Sequence, residues 1–131
     1  MTVLLAYIST PEGDAALSAA VDEARRRSTD AVVVNVTRPA EQAGSDFSTE
    51  QQLDGAARRF GEAGVAVEVR QLPGGVDTAD AIVAVADEIG PDLVVIGLRR
   101  RTAVGKLIVG STSQRILLGV ACPVLAVKAP H

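Results

Sequence analysis

Leu93-Val94-Val95-Ile96-Gly97-Leu98-Arg99-Arg100-Arg101-Thr102-Ala103-Val104-Gly105-Lys106-Leu107-Ile108-Val109-Gly110-Ser111-Thr112-Ser113-Gln114-Arg115-Ile116-Leu117-Leu118 is the stretch whose reading decides the fold. It begins with a short continuous apolar run, Leu93 to Gly97, as expected of a strand covered on both faces. A glycine-bearing loop follows. Ser111 and Gln114, three apart, carry the spacing of a capping box and open a helix. Strand, loop and helix in this order form half of a βαβ unit. Free N–H groups at such a helix start suit an anion such as a phosphate.

The same alternation extends outward. Four further runs read as strands: Val3 to Ile8, Ala31 to Thr37, Val65 to Leu72 and Pro123 to Lys128. Helical patterns separate them. Thr10 caps the first, with Pro11 at its first helical position and a stripe of Leu17, Ala20, Val21 and Ala24. Ser48 and Gln51 form a capping box for the second, which buries Leu53, Ala56, Ala57 and Phe60. The third starts near Asp77, buries Ile82, Val85, Ala86 and Ile89, and ends at Gly90-Pro91. The small, polar stretch between Arg38 and Ser48 reads as a mobile loop.

Alternating strands and helices predict one α/β domain over residues 1–131. Its expected core is a doubly wound, five-stranded parallel sheet of order 3-2-1-4-5, with helices on both faces. The order reverses between the first and fourth strands. Ligands of open α/β sheets bind at the carboxyl ends of such a pair. Ile8-Ser9-Thr10, Val36-Thr37 and the segment from Gly97 to Ser111 would line that crevice.

The two sheet edges differ. On the third strand, Val65, Val67 and Val69 alternate with Ala66, Glu68 and Arg70, and an edge strand with charges resists pairing. The last strand, Val124-Leu125-Ala126-Val127, has no charge before Lys128. Its expected cover is the same strand of a second copy, giving a homodimer.

Composition excludes several functions. Net charge is −3 and aromatic residues are 2%, so neither a basic footprint nor a stacking platform for nucleic acid is present. No apolar run approaches the roughly 18–20 residues that span a bilayer. Met1 to Tyr7 lacks a basic start and reads as a strand rather than a signal peptide. The expected setting is cytoplasmic. One cysteine excludes an internal disulfide. Cys122 lacks a partner base, and His131 is the terminal residue. Asp77, Asp80 and Asp87 read as caps and a solvated helix face rather than metal ligands. No nucleophile–base pair or carboxylate pair can be assembled, so no catalytic residue and no metal site are assigned.

The Gly97 to Ser111 segment resembles the signature of the universal stress protein family, whose nucleotide-binding members carry Gly-x2-Gly-x9-Gly-[Ser/Thr]. Gly97, Gly110 and Ser111 fit that spacing. The segments Gly74 to Ile82 and Cys122 to Val127 are also typical of the family. The resemblance covers essentially the whole chain. It implies an adenine nucleotide alpha hydrolase-like fold, dimerisation through the last strand, and in some members binding of ATP or related nucleotides. By that resemblance, the backbone of Val36 faces adenine, while Gly97, Gly110, Ser111 and Thr112 face phosphates.

Two positions depart from the pattern. Nucleotide-binding members carry an aspartate after the first strand; here Ile8 stands in its place. A charged hydrogen bond is worth roughly 1.5–3 kcal/mol, or about tenfold to a hundredfold in affinity. Arg100 replaces the middle glycine. If that position requires positive φ, arginine there costs roughly 1–2 kcal/mol. In compensation, Arg99, Arg100, Arg101, Lys106 and Arg115 gather positive charge near the loop, with Arg99 and Arg100 best placed to hold an anion.

The expectation is a non-catalytic, dimeric stress-response module with a weakened or altered pocket for ATP or another adenine nucleotide. The alternatives are a full ATP-binding member with slow hydrolysis, and a structural dimer without a small ligand.

Overall fold

Five parallel strands form one sheet in the order β3-β2-β1-β4-β5. In chain order the elements are β1 (Thr2–Ala6), α1 (Pro11–Arg27), β2 (Asp30–Val36), α2 (Thr49–Glu62), β3 (Val67–Leu72), α3 (Thr78–Ile89), β4 (Leu93–Leu98), α4 (Ser111–Gly119) and β5 (Val124–Lys128). The computed structural model describes residues 1–36, 49–74, 77–99 and 109–129. The predicted fold class and strand order are those observed.

Alternation along the strands divides the core into two layers. Val3, Leu5, Val33 and Val95 face α1 and α2, together with Leu17, Val21 and Phe60. Leu4, Val32, Val34, Val94 and Ile96 face the opposite side, with Ile82, Val85 and Ile116 from α3 and α4. Continuous apolar sequence in β1, β2 and β4 is thus explained by burial on both faces. In β5, Leu125 and Val127 pack into the first layer and Val124 and Ala126 into the second.

The helix stripes hold, with two residues at their margins. Ala57 and Ile89 are half-buried rather than buried. Thr10 caps α1: its hydroxyl accepts the Gly13 N–H at 2.9 Å. Asp77 caps α3 by accepting the Asp80 N–H at 3.1 Å, and Gly90 ends that helix at φ 59°. Ser48 and the loop before it lie outside the described residues.

Strand ends differ from the sequence reading for local reasons. β1 stops at Ala6, because the Ile8 carbonyl accepts the Thr10 N–H at 3.0 Å and turns the chain into α1. β3 starts at Val67, because the Val65 N–H is spent on the Phe60 carbonyl at 2.9 Å, closing the end of α2. β5 starts at Val124; Pro123 has no N–H, and its carbonyl accepts from Val94. Thr37, the expected end of β2, lies outside the described residues.

The capping box at α4 is not formed. Gly110 is the N-cap, in extended conformation at φ −67° and ψ 161°, and among the described residues no side chain caps the helix. Its carbonyl accepts the Gln114 N–H at 2.9 Å, which makes Ser111 the first helical residue. A box needs its serine one position earlier.

Candidate functional site

The carboxyl ends of β1 and β4 face one another where the strand order reverses. Among the described residues, four pieces of chain reach this edge: the turn from Tyr7 to Thr10, the end of β2 at Val36, the end of β4 from Gly97 to Arg99, and the start of α4 at Gly110. Parallel crossovers set the amino ends of α1 and α4 at this same edge.

The start of α4 is rich in donors. Gly110, Ser111 and Thr112 are exposed, and among the described residues the first N–H groups of the helix have no side-chain cap. Such groups carry partial positive charge and suit an anion. Thr10 and Asp77 satisfy the corresponding groups of α1 and α3. α4 therefore stands apart among helices whose N-caps are described.

Arg99 is exposed at the end of β4. Arg100, Arg101 and Lys106 lie outside the described residues. Arg115 differs from its sequence reading. Its guanidinium spans two carboxylates of α3, Asp77 at 2.7 Å and Asp80. Its charge is committed to holding the starts of α3 and α4 together. The Asp80 backbone N–H, with Arg115, keeps the Asp77 carboxyl below its ordinary value.

Gly97 has a packing role that its motif position does not reveal. A Cβ built there would lie 2.5 Å from the carbonyl oxygen of Glu12 and 3.2 Å from the Glu12 Cβ. The first turn of α1 thus rests directly on the backbone of β4. Gly13 is tighter still: a Cβ built there would overlap the Ile8 carbonyl oxygen. The two glycines let the turn after β1 fold down against the sheet. Gly110, by contrast, has open space around it.

Buried polar side chains lie beneath the turn into α1. Asn35, next to Val36 on β2, is buried; its Nδ2 donates to the Tyr7 carbonyl at 3.0 Å, and its Oδ1 has no partner. Tyr7 donates its hydroxyl to Asp14 at 3.0 Å. Burial, then the bond to Asp14, raises the Tyr7 pKa, so the phenol stays protonated at neutral pH. Glu12 is buried in the first turn of α1. Ile8 is half-buried and offers no carboxylate.

Sequence reasoning placed Val36, Gly97, Arg99, Gly110, Ser111 and Thr112 at this end of the sheet, and all six are there. It passed over Glu12, Gly13 and Asn35. Asn35 was the readable signal, the one polar residue in Ala31-Val32-Val33-Val34-Asn35-Val36. Among the described residues no cluster of His, Cys, Asp or Glu could hold a metal ion, and no helix is long and apolar enough to cross a membrane.

Comparison with known proteins gives the lineage. A model of the universal stress protein family matches residues 1–128. A universal stress protein of Mycolicibacterium smegmatis is 37% identical over 129 residues, covering 98% of each chain. A solved universal stress protein from Archaeoglobus fulgidus superposes with a TM-score of 0.76 at 29% identity, covering 97% of each chain. Another from that organism, in complex with dAMP, shares the fold at a TM-score of 0.69 and 24% identity, covering 97% of this chain and 96% of that one. The chain belongs to the universal stress protein family.

Proposed function

We propose that the protein is a non-catalytic, dimeric stress-response module whose crevice binds an adenine nucleotide weakly. The observation that carries this reading is the uncapped start of α4, at the point where the strand order reverses. Ser111 and Thr112 would take phosphate on their N–H groups, with Arg99 and Arg100 supplying charge. Gly97 and Gly110 shape the approach, and Val36 would meet the base through its backbone. The Archaeoglobus fulgidus relative that holds dAMP supports an adenine nucleotide as the ligand.

Weak affinity follows from Ile8, which cannot accept a hydrogen bond, and from Arg100 in place of a glycine. Together these cost about two to three powers of ten relative to members that keep both residues, if the losses add. The absence of a nucleophile–base pair in the sequence supports a binding role rather than a catalytic one.

The test is calorimetric titration of the purified protein with ATP and AMP. Binding in the micromolar to millimolar range, weakening steeply with salt, is the expected result. Stoichiometric nucleotide in the purified protein would favour the full ATP-binding alternative. With one Tyr and no Trp, ultraviolet absorbance detects such carry-over readily. No binding of phosphate, AMP or ATP at millimolar concentration defeats the reading.

A further inference from the structure

We propose that Asn35 is a positioning residue: its side-chain amide takes the Tyr7 carbonyl in place of the Val36 N–H, and so leaves the backbone of Val36 free to read the edge of a base. The assignment rests on the nucleotide reading above and names the residue that opens its base-binding edge.

The register of β2 supplies the first observation. In a parallel sheet, the N–H and C=O of one residue point to the same neighbouring strand, and successive residues alternate between neighbours. The Ala31 N–H donates to the Ala66 carbonyl at the start of β3, and the Val34 carbonyl accepts the Tyr7 N–H. Ala31, Val33 and Asn35 therefore bond toward β3, while Val32, Val34 and Val36 face β1. The next bond in that series runs from the Val36 N–H to the Tyr7 carbonyl. It is not made: the pairing of β1 with β2 ends at Ala6 and Val34. The Tyr7 carbonyl instead accepts the Asn35 Nδ2 at 3.0 Å. Among the described residues, no other acceptor meets the Val36 N–H. β2 thus runs past the end of β1, with one donor and one acceptor of Val36 turned to the space beside the crevice.

The second observation is what this arrangement costs. The Oδ1 of Asn35 is buried without a donor, and the residue is only 9% exposed. It alternates onto the same face of β2 as Val33, a face otherwise filled by apolar side chains. A valine at position 35 would suit the strand and leave no orphaned acceptor. The Tyr7 carbonyl would then need another donor, and the Val36 N–H is the one in register. The ladder would close by one rung and the free edge would disappear. Such a local rule broken at the rim of a crevice is expected of a residue that serves binding rather than stability.

The free edge has a definite preference. An N–H beside a C=O matches a ring-nitrogen acceptor beside an amino donor, the arrangement on adenine. Hypoxanthine carries the reverse, a ring N–H beside a carbonyl, and sets like against like.

The experiment uses the full chain as wild type, Asn35→Val and Asn35→Leu. It measures urea unfolding, amide hydrogen exchange by NMR, and calorimetric titration with AMP, IMP and inorganic phosphate. In the wild type, the Val36 amide should exchange fast without ligand and slow down with AMP. AMP should bind about tenfold more tightly than IMP. In both variants the Val36 amide should exchange at least about tenfold more slowly without ligand. Their stability in urea should not fall, and the preference for AMP over IMP should vanish while phosphate affinity stays unchanged. A Val36 amide that exchanges in the folded variants as it does in the wild type overturns the assignment, because the turn after β1 would then part the strands unaided. So does a preference for AMP that survives both substitutions. A loss of stability with equal falls in AMP and phosphate binding also overturns it, and would mark Asn35 as structural only. Equal wild-type affinity for AMP and IMP defeats the nucleotide reading and with it the purpose assigned to the edge; the exchange rates separate that result from a failure of Asn35 itself.

Discussion

Gly97 and Gly110 belong to one motif in the sequence, yet a methyl group would have opposite consequences at the two. At Gly97 it would press on the Glu12 carbonyl, and at Gly13 on the Ile8 carbonyl. These neighbours are backbone atoms and cannot rotate away, so the α1 turn itself must shift. Overpacking of this kind costs about 1–3 kcal/mol. Gly97→Ala and Gly13→Ala should each destabilise the fold by that amount in urea unfolding, with Gly13→Ala the worse. Gly110→Ala meets open space and should stay within about 0.5 kcal/mol of the wild type. Equal effects at Gly97 and Gly110 would defeat the distinction. The spacing of these glycines was legible in the sequence, but their separate physical roles were not. Gly97 is needed because of Glu12, a residue far away in the chain, and only the packing of α1 on β4 brings the two together. The missing carboxylate at Ile8 was equally legible, because it is the identity of one residue at a strand end.

Among the elements, α4 concentrates the functional argument. Stripes and caps predicted α1 and α3 well, since Thr10 and Asp77 each bond the N–H three residues on. The same reasoning shifted the α4 cap by one position. A Ser-x-x-Gln pattern cannot tell a serine at the cap from one at the first helical position; the extended backbone of Gly110 settles it. The shift leaves the helix start open, and this gives a prediction with two opposed effects. Gly110→Asp puts a capping carboxylate where φ is −67°, a conformation that aspartate adopts freely. The cap and the helix dipole together should stabilise the protein by about 0.5–1 kcal/mol. The same carboxylate would occupy the donors assigned to phosphate and repel the anion, so phosphate and ATP binding should fall at least about tenfold. Thermal unfolding and calorimetry read the two effects separately. Higher stability with unchanged anion binding would move the anion away from the start of α4.

The strand order of the whole molecule was legible because local punctuation and right-handed crossovers leave few alternatives for alternating strands and helices. Assembly is a separate matter, and the two edges of the sheet supply the argument. On β3, Arg70 pairs with Glu68 on its own strand and with Glu88 on α3. Charged groups tied down in this way protect an edge from pairing. β5, at the other edge, has four apolar residues before Lys128, each only half-buried by its own chain. On α4, the helix that leads into β5, Leu118 is 80% exposed. A two-fold axis beside β5 would pair that strand with its copy and continue the sheet across both protomers. Leu125→Lys places a charge in the middle of the strand, while Leu118→Glu alters a side chain that takes no part in the core. Sedimentation should find a wild-type dimer and a Leu125→Lys monomer. Circular dichroism should show the helices and sheet intact, because the introduced lysine can extend its ammonium past the edge into water. Leu118→Glu should weaken the dimer if α4 flanks the shared edge, without changing the stability of the monomer. A Leu125→Lys protein that remains dimeric would place the interface on another surface and leave β5 as an open edge.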